Sequence, residues 1–322
     1  MQEVRRRGKS KDSKISKRDN NKNNENSVDV NNLRPQTRRD ISLRIISRMV
    51  VISSLLIVVY FTTKNETFKT FAKQSELLSG KGLVVECSQS YKQEVDKYEG
   101  CAPRECKRFV TDQVISVREA EELLAIAKKG LKFGGSSGGA SILDMHSGAL
   151  SLGKDFVNIY KRRDARNIFS DADFNIYRVV KEKIKYAVAH HFGVKPNKIY
   201  LTSPTFFSEM TSKKADSLHD EYWHPHVDKT TYKSFHYTTL LYLSDYNIDF
   251  KGGRFVFIDE KFNRTVEPRK ARLSMFTSGG ENYHYVEKVT SGIRYAMTMP
   301  FTCDEQYAVE DPSMKNLNLI QS

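Results

Sequence analysis

The rhythm of hydrophobic and polar positions changes three times along the chain. From Met49 to Thr63 the run MVVISSLLIVVYFTT carries no charge, and Ile45 and Ile46 extend its apolar character past Arg48. A membrane-crossing helix needs ~20 residues at 1.5 Å rise, so this run spans a bilayer if Arg48 and Lys64 reach outward to the interfaces. Residues 45–63 are therefore read as a single transmembrane signal anchor. After Ser116, VREAEELLAIAKKG places Val117, Ala120, Leu123, Leu124 and Ala127 at helical spacing, and Gly130 is expected to end that helix. Phe174, Tyr177, Val180, Ile184 and Val188 mark a second helix, closed by His190, His191 and Gly193, where the histidines serve as end charges or packing. From Ile199 onward the texture is different. KIYLTSPTFF, FHYTTLLYL, GRFVFI, RLSMFT, YHYVEKV and IRYAMTMPF alternate with turns bearing Gly, Asp and Asn, which predicts short strands. Helices followed by strands indicate an α+β fold, a barrel or jelly roll with N-terminal helices packed on one sheet.

Composition narrows this picture. The 322 residues, 39% of them hydrophobic, suffice for one sizeable core with appendages. The net charge of +13 is lopsided: residues 1–48 hold 14 Lys and Arg against 6 Asp and Glu, so the rest of the chain has close to ordinary charge. Residues 1–44, rich in Asn and Ser and poor in apolar clusters, are expected to form a disordered basic tail. A nucleic-acid role is disfavoured because no aromatic residues interleave these charges to stack on bases.

Arg34, Arg38, Arg39, Arg44 and Arg48 precede the span, and only Lys64, Lys69 and Lys73 follow it closely, a bias that places the N-terminus in the cytosol. A cleaved signal peptide would require a charged region of about 48 residues and a small-residue cleavage site, so an uncleaved type II anchor is expected. The remainder then lies in the lumen of the endoplasmic reticulum or Golgi. Both sequons, at Asn65 and Asn263, and all four cysteines, Cys87, Cys101, Cys106 and Cys303, fall on that side. Two disulfides are expected, with three pairings open. The expected organisation is a lumenal stem at 64–107, a helical support region at 108–195, a catalytic domain at 196–305 and a C-terminal tail at 306–322. GGSSGGAS at 134–141 has neither a preceding strand nor a Lys-Ser/Thr end, so a mobile connecting loop is expected there instead of a phosphate cradle.

Five of the eight histidines lie between 219 and 284. His146, His219 and His236 lack a partner at ligand spacing and are read as surface or hydrogen-bonded structure. His226 and Asp228 stand at i and i+2, which on a strand project from one face and grip one ion from two corners. His284 lies in YHYVEKV, where its neighbours Tyr283 and Tyr285 would face the opposite way. Two imidazoles and a carboxylate suit Fe(II) and leave positions open, unlike a closed zinc site. Arg294, ten residues past His284 and across the turn signal VTSG, can reach into the same barrel and hold a carboxylate bidentately. His224 offers a second pairing with His226 and is assigned to the surroundings of the site or its entrance.

With these residues in place, the chain resembles the 2-oxoglutarate- and iron-dependent dioxygenases of the prolyl 4-hydroxylase type. TTLLYLSD followed by KGGRFVF resembles that family's central strands and Gly-Gly turn, and VEKVTSGIRYAMTMPF resembles its closing strands. The likeness covers Ile199 to Cys303 and reaches back to the helix at 116. It implies a double-stranded β-helix (jelly-roll) core, iron on His226, Asp228 and His284, and a 2-oxoglutarate co-substrate held by Arg294. It also implies O₂, L-ascorbate as reductant, and procollagen-proline 4-dioxygenase-like hydroxylation of a secretory or membrane polypeptide, proline foremost. Two departures stand out. Arg254 follows Gly252-Gly253 where relatives often carry Glu, and the Tyr that many relatives use as a second 2-oxoglutarate contact has no assignable position. The first supports a rival reading, a catalytically weak iron-binding scaffold. A hydrolase using His224 and His226 would leave Arg294 unexplained.

Overall fold

The chain, seen in a computed structural model, divides into two units, Met1–Thr63 and Lys64–Ser322. The structure describes residues 38–63, 68–165 and 167–312. The expected basic tail thus falls outside the described residues up to residue 37, as do Asn65 and residues 313–322.

In the first unit, α1 (Arg38–Thr63) is a single helix of 26 residues, about 39 Å long at 1.5 Å per residue. Its Ser42–Val59 portion is long and apolar enough to cross a membrane, and its side chains are exposed.

The second unit opens with β1 (Phe68–Ala72), β2 (Lys81–Val84), α2 (Gln89–Val95) and β3 (Lys107–Thr111). Next come α3 (Val117–Leu131), β4 (Gly135–Ser136), β5 (Ala140–Leu143), β6 (Ala149–Gly153), β7 (Asp155–Asn158) and α4 (Asp171–Phe192). The strand-rich half holds β8 (Tyr200–Leu201), β9 (Phe206–Thr211), the short α5 (Asp228–Thr231), β10 (Tyr237–Tyr242), β11 (Phe250–Gly252) and β12 (Phe255–Phe257). It ends with β13 (Asn263–Val266), β14 (Leu273–Thr277), β15 (His284–Val286) and β16 (Val289–Thr302).

Two sheets result, and both are built largely from antiparallel pairs. The smaller runs β1-β13-β12-β15, and the larger follows β2-β3-β14-β10-β16-β9-β5-β6-β4, with β8 and β11 joined to β16 and β7 to β6. All six residues of β10 are buried, as expected of a strand with neighbours on both edges and layers on both faces. One apolar cluster joins α3 and α4 to the larger sheet through Leu123, Ala127, Val180, Ile184 and Met299. A second, with Leu240, Phe255, Phe257, Phe276 and Val286, lies between the two sheets. The observed class is α+β, with helices on one side of the larger sheet and the smaller sheet on the other.

Several expectations change. The segment expected as a stem enters both sheets: β1 pairs in parallel with β13, and β2 pairs antiparallel with β3. Arg272, fully buried, draws it in by donating to the carbonyls of Lys73 and Glu76 and by gripping Asp112 with two nitrogens at 2.8 and 2.9 Å. The expected helical region at 108–195 also supplies β3 to β7, whose short runs give no long period to read. Finally, Gly130 lies inside α3 and does not end it. A Cβ there would stand 2.4 Å from Leu143 Cδ2, so glycine permits the helix to approach β5. The capping box of Ser116 and Glu119 is present at its start and contributes about 1 kcal/mol.

The Gly-rich 134–141 segment is not a free loop either. It forms β4 and the start of β5, and Ser136 and the Ala140 N–H donate to the buried Asp220 carboxylate, the latter at 3.3 Å. Segment 306–312 folds back: Val309 N–H donates to the Leu201 carbonyl, and Asp311 pairs with Lys181 at 2.7 Å. Cys87 is bonded to Cys106 and Cys101 to Cys303.

Candidate metal centre

His226, Asp228 and His284 come together on three different local structures. His226 is not on a regular strand; among the described residues it pairs through an isolated antiparallel bridge to His284. Asp228 is the first residue of α5, and His284 opens β15, buried while Tyr283 is exposed. The H-x-D pair thus lies not on one strand face but on a bridge followed by a helical turn, which turns the carboxylate inward.

The donor atoms converge. Asp228 Oδ1 lies 3.5 Å from His226 Nε2 and 3.6 Å from His284 Nε2, and one ligand atom from each residue falls within 4.8 Å of the others. Both imidazoles are oriented in the same way. His226 Nδ1 is 3.0 Å from the His224 carbonyl, and His284 Nδ1 is 2.7 Å from the Asn282 carbonyl. A carbonyl only accepts, so each Nδ1 carries the hydrogen and each Nε2 lone pair is left for a cation. Asp228 Oδ2 accepts from the Thr238 hydroxyl at 2.6 Å, and that hydroxyl also meets Ser278 Oγ at 2.9 Å. The other carboxylate oxygen faces the imidazoles.

The charges fit this arrangement. Burial works against ionising Asp228, but the two histidines and the Thr238 hydroxyl outweigh it and hold its pKa below the usual carboxylate value. Burial lowers the His284 pKa, against the pull of Asp228. At His226 burial also opposes the charge, yet Asp228 and the His224 carbonyl prevail and raise its pKa. A buried carboxylate facing two imidazole nitrogens is a good cage for a divalent cation, whose binding displaces any proton from Nε2.

Arg294, on β16, is fully buried. Its Nε donates to the Gly253 carbonyl at 2.9 Å and its Nη1 meets Met210 Sδ at 3.6 Å, while Nη2 has no partner. Among the described residues it has no carboxylate partner, and burial lowers its pKa against the pull of Tyr242 and Tyr222. A buried, half-satisfied guanidinium is costly without an anion, so a ligand carboxylate fits here. The Gly252-Gly253 turn makes room: a Cβ on Gly252 would fall 2.2 Å from the Lys288 carbonyl, and one on Gly253 3.0 Å from Arg294 Cδ, both at positive φ. The triad and Arg294 open into one cavity of about 450 Å³ with aromatic walls that include Phe156, Tyr222, Tyr232 and Phe235.

Sequence reasoning missed Thr238, which holds Asp228, and Tyr242, which lies beside Arg294. The buried hydroxyls of Tyr242 and Ser274 are unpartnered, and the Tyr242 ring lies 5.5 Å from the Arg294 guanidinium. Thr238, Leu240 and Tyr242 alternate along β10, a period that could have placed Tyr242 on the site's face. The remaining candidates sit elsewhere. Arg254 binds Glu287 through two nitrogens at 2.8 and 2.7 Å, so the departure at that position is a cross-strand pair and leaves the triad untouched. His224 is exposed and bonded to Glu221 at 2.6 Å. His219 meets Phe156 at the cavity, His146 bonds Tyr177 and the Glu310 carbonyl, and His236 is buried beside Glu94. Asn263 is half-buried at the start of β13.

A family model described as the 2OG-Fe(II) oxygenase superfamily matches residues 214–301, a stretch containing the triad and Arg294. Over 253 residues the chain is 53% identical to the 2-oxoglutarate and iron-dependent oxygenase domain-containing protein 3 of Xenopus tropicalis, covering 78% of this chain and 80% of that one. The chain therefore belongs to the 2OG-Fe(II) oxygenase superfamily, whose members use Fe(II), 2-oxoglutarate and O₂. The protein of the same name from Homo sapiens is 50% identical over 265 residues, covering 82% and 83% of the two chains. Human prolyl 3-hydroxylase 2 is 40% identical over a shorter stretch of 74 residues, 22% of this chain and 10% of that one.

Proposed function

We propose that this chain is a membrane-anchored, Fe(II)- and 2-oxoglutarate-dependent dioxygenase that hydroxylates a side chain, proline foremost, of a secretory or membrane polypeptide. The observation that carries the reading is the opening of three convergent ligand atoms and one half-satisfied guanidinium into a single cavity. His226, Asp228 and His284 would hold the iron, and Arg294 with Tyr242 would hold the distal carboxylate of 2-oxoglutarate. Bound Fe(II) supplies the redox chemistry that couples O₂ and 2-oxoglutarate decarboxylation to C–H hydroxylation. The chain's own part is geometric. The His224 and Asn282 carbonyls keep both imidazoles as Nε2 donors, and Thr238 holds one Asp228 oxygen while the other faces the imidazoles. The aromatic walls exclude water and offer flat faces to a pyrrolidine ring.

The facing of the four-stranded sheet against the larger one across the Phe255 and Phe276 cluster supports a double-stranded β-helix as the architecture. α1 would be a type II anchor with the catalytic unit in the lumen of the endoplasmic reticulum or Golgi, where Asn65 and Asn263 can be glycosylated and the disulfides persist. L-ascorbate would serve as the reductant.

Succinate formation from 2-oxoglutarate by the detergent-solubilised chain with Fe(II) tests the activity; its absence with reduced, metal-loaded protein in O₂ would leave a scaffold. Glycosidase-sensitive modification tests the topology, and cytosolic reactivity of a tag placed after Ser322 would overturn it. Mass spectrometry of secretory proteins with and without an active copy, searched for a gain of one oxygen atom, identifies the substrate.

A further inference from the structure

Among the described residues two arginines besides Arg294 are completely enclosed, and they do different things. Arg272 is satisfied by Asp112 and by backbone carbonyls, away from the metal centre. Arg108, 1% exposed on β3, points at the loop that leads into His284. Its Nε donates to Asn282 Oδ1 at 2.7 Å and its Nη2 to the Glu281 carbonyl at 3.1 Å. Asp259 neutralises it at 2.8 Å, and its guanidinium lies 4.2 Å from the centre of the Phe257 ring. Asn282, fully buried, spends its amide on the Thr277 carbonyl at 2.7 Å and on the Thr277 hydroxyl. Its side chain is thereby held at both ends, and its main-chain carbonyl is the acceptor that orients His284.

The loop is braced from the same N-terminal arm a second time. Ser88 N–H donates to Glu281 Oε2 at 3.0 Å, and Gly280 N–H donates to Ser88 Oγ at 3.2 Å. Ser88 follows Cys87, Arg108 lies two residues past Cys106, and the two cysteines are bonded to each other. Burying a guanidinium is expensive unless every bond is well made, and here those bonds are shared between the Asn282 side chain, the Glu281 carbonyl and the Asp259 carboxylate, the first two on the residues that lead into His284.

We propose that Arg108 is a positioning residue for the metal centre: by clamping Asn282 it fixes the His284 imidazole with Nε2 toward the ion. This rests on reading the triad as the iron site. Supporting groups around a ligand histidine typically change metal affinity by about 10–100-fold.

The test uses the full chain in detergent with Co(II) as the probe, following both its dissociation constant and its visible absorption spectrum. Folding is monitored by near-ultraviolet circular dichroism. Arg108→Lys keeps a cation but loses the planar fork; it and Asn282→Ala should each weaken Co(II) binding about 10–100-fold and alter the spectrum. Arg272→Lys is the matched control, expected to lower thermal stability while leaving affinity and spectrum as in the parent. Parental affinity and spectrum in Arg108→Lys would overturn the proposal whatever Asn282→Ala shows, as would an equal loss in Arg272→Lys. If the parent itself takes up no Co(II), or takes it up undiminished after Asp228→Ala, the iron reading fails along with it.

Discussion

His226 and His284 are joined by a reciprocal backbone pair, each N–H donating to the other's carbonyl at 2.9 and 3.0 Å, with ring centroids 4.5 Å apart. Two candidate ligands 58 positions apart are thus brought together by backbone geometry alone. Asp228, held by Thr238, completes the cage from a helical turn.

Asp228→Ala should therefore abolish retention of Fe(II) while leaving the fold intact, because the backbone pair is preserved. Thr238→Val, which removes only the 2.6 Å hydrogen bond to Oδ2, should weaken metal binding about 10-fold. Equilibrium dialysis with metal analysis checks both. Full retention in Asp228→Ala would exclude the triad as the metal site.

Arg294→Ala should spare the metal and raise the 2-oxoglutarate requirement by about 10–100-fold, the range of a charge-assisted hydrogen bond. Tyr242→Phe removes only a hydroxyl and should raise it by about 3–10-fold. Initial rates against 2-oxoglutarate concentration separate the two variants. Loss of metal together with co-substrate binding in Arg294→Ala would contradict the separate role assigned to it.

Acid should destabilise the fold through histidines outside the metal centre. Burial, with His190 and Lys107, pushes His191 down to about 4, where its ring stacks on Phe109 at 3.8 Å. His236 is likewise pushed down to about 4 by burial and Lys229, although Glu94 opposes this. An unfolded histidine titrates near ~6.5, so between about 6.5 and 4 the unfolded chain takes up protons that the folded chain refuses. Stability is then full above about pH 6.5 and falls as pH drops, by at most about 1.4 kcal/mol per pH unit for each group. The half-buried His191 contributes less than this. Urea unfolding followed by Trp223 fluorescence at pH 7 and pH 5 should show the fall, and His191→Phe should reduce it.

Removing the two disulfides should have unequal effects. Cys101–Cys303 closes 202 residues and Cys87–Cys106 only 19, so loop-closure entropy predicts losses of about 5 and about 3 kcal/mol. Paired Cys→Ser variants compared by urea denaturation would reveal this order. A larger loss from the short loop would mean that its brace on Glu281 outweighs entropy.

Much of this protein is written in one dimension. The uncharged run at 49–63, the helical spacing of Leu123 and Ala127 and of Val180 and Ile184, and the strand texture after Ile199 need only local periodicity, because burial on one face repeats at 3.6 or 2 residues. His226, Asp228, His284 and Arg294 could be singled out because their chemistry is rare and their spacing informative. Tertiary structure decided the rest. The segment at 64–107 joins both sheets because its partners, Arg272 and β13, are some 200 residues away and leave no local trace. Thr238 and Tyr242 read as ordinary strand formers in TTLLYL until β10 is seen between β14 and β16, where a buried hydroxyl must find a partner or a ligand. The pairing of four cysteines, the tautomers of two histidines and the reach of Arg108 to Asn282 depend on distances across the fold, which no period along the chain encodes.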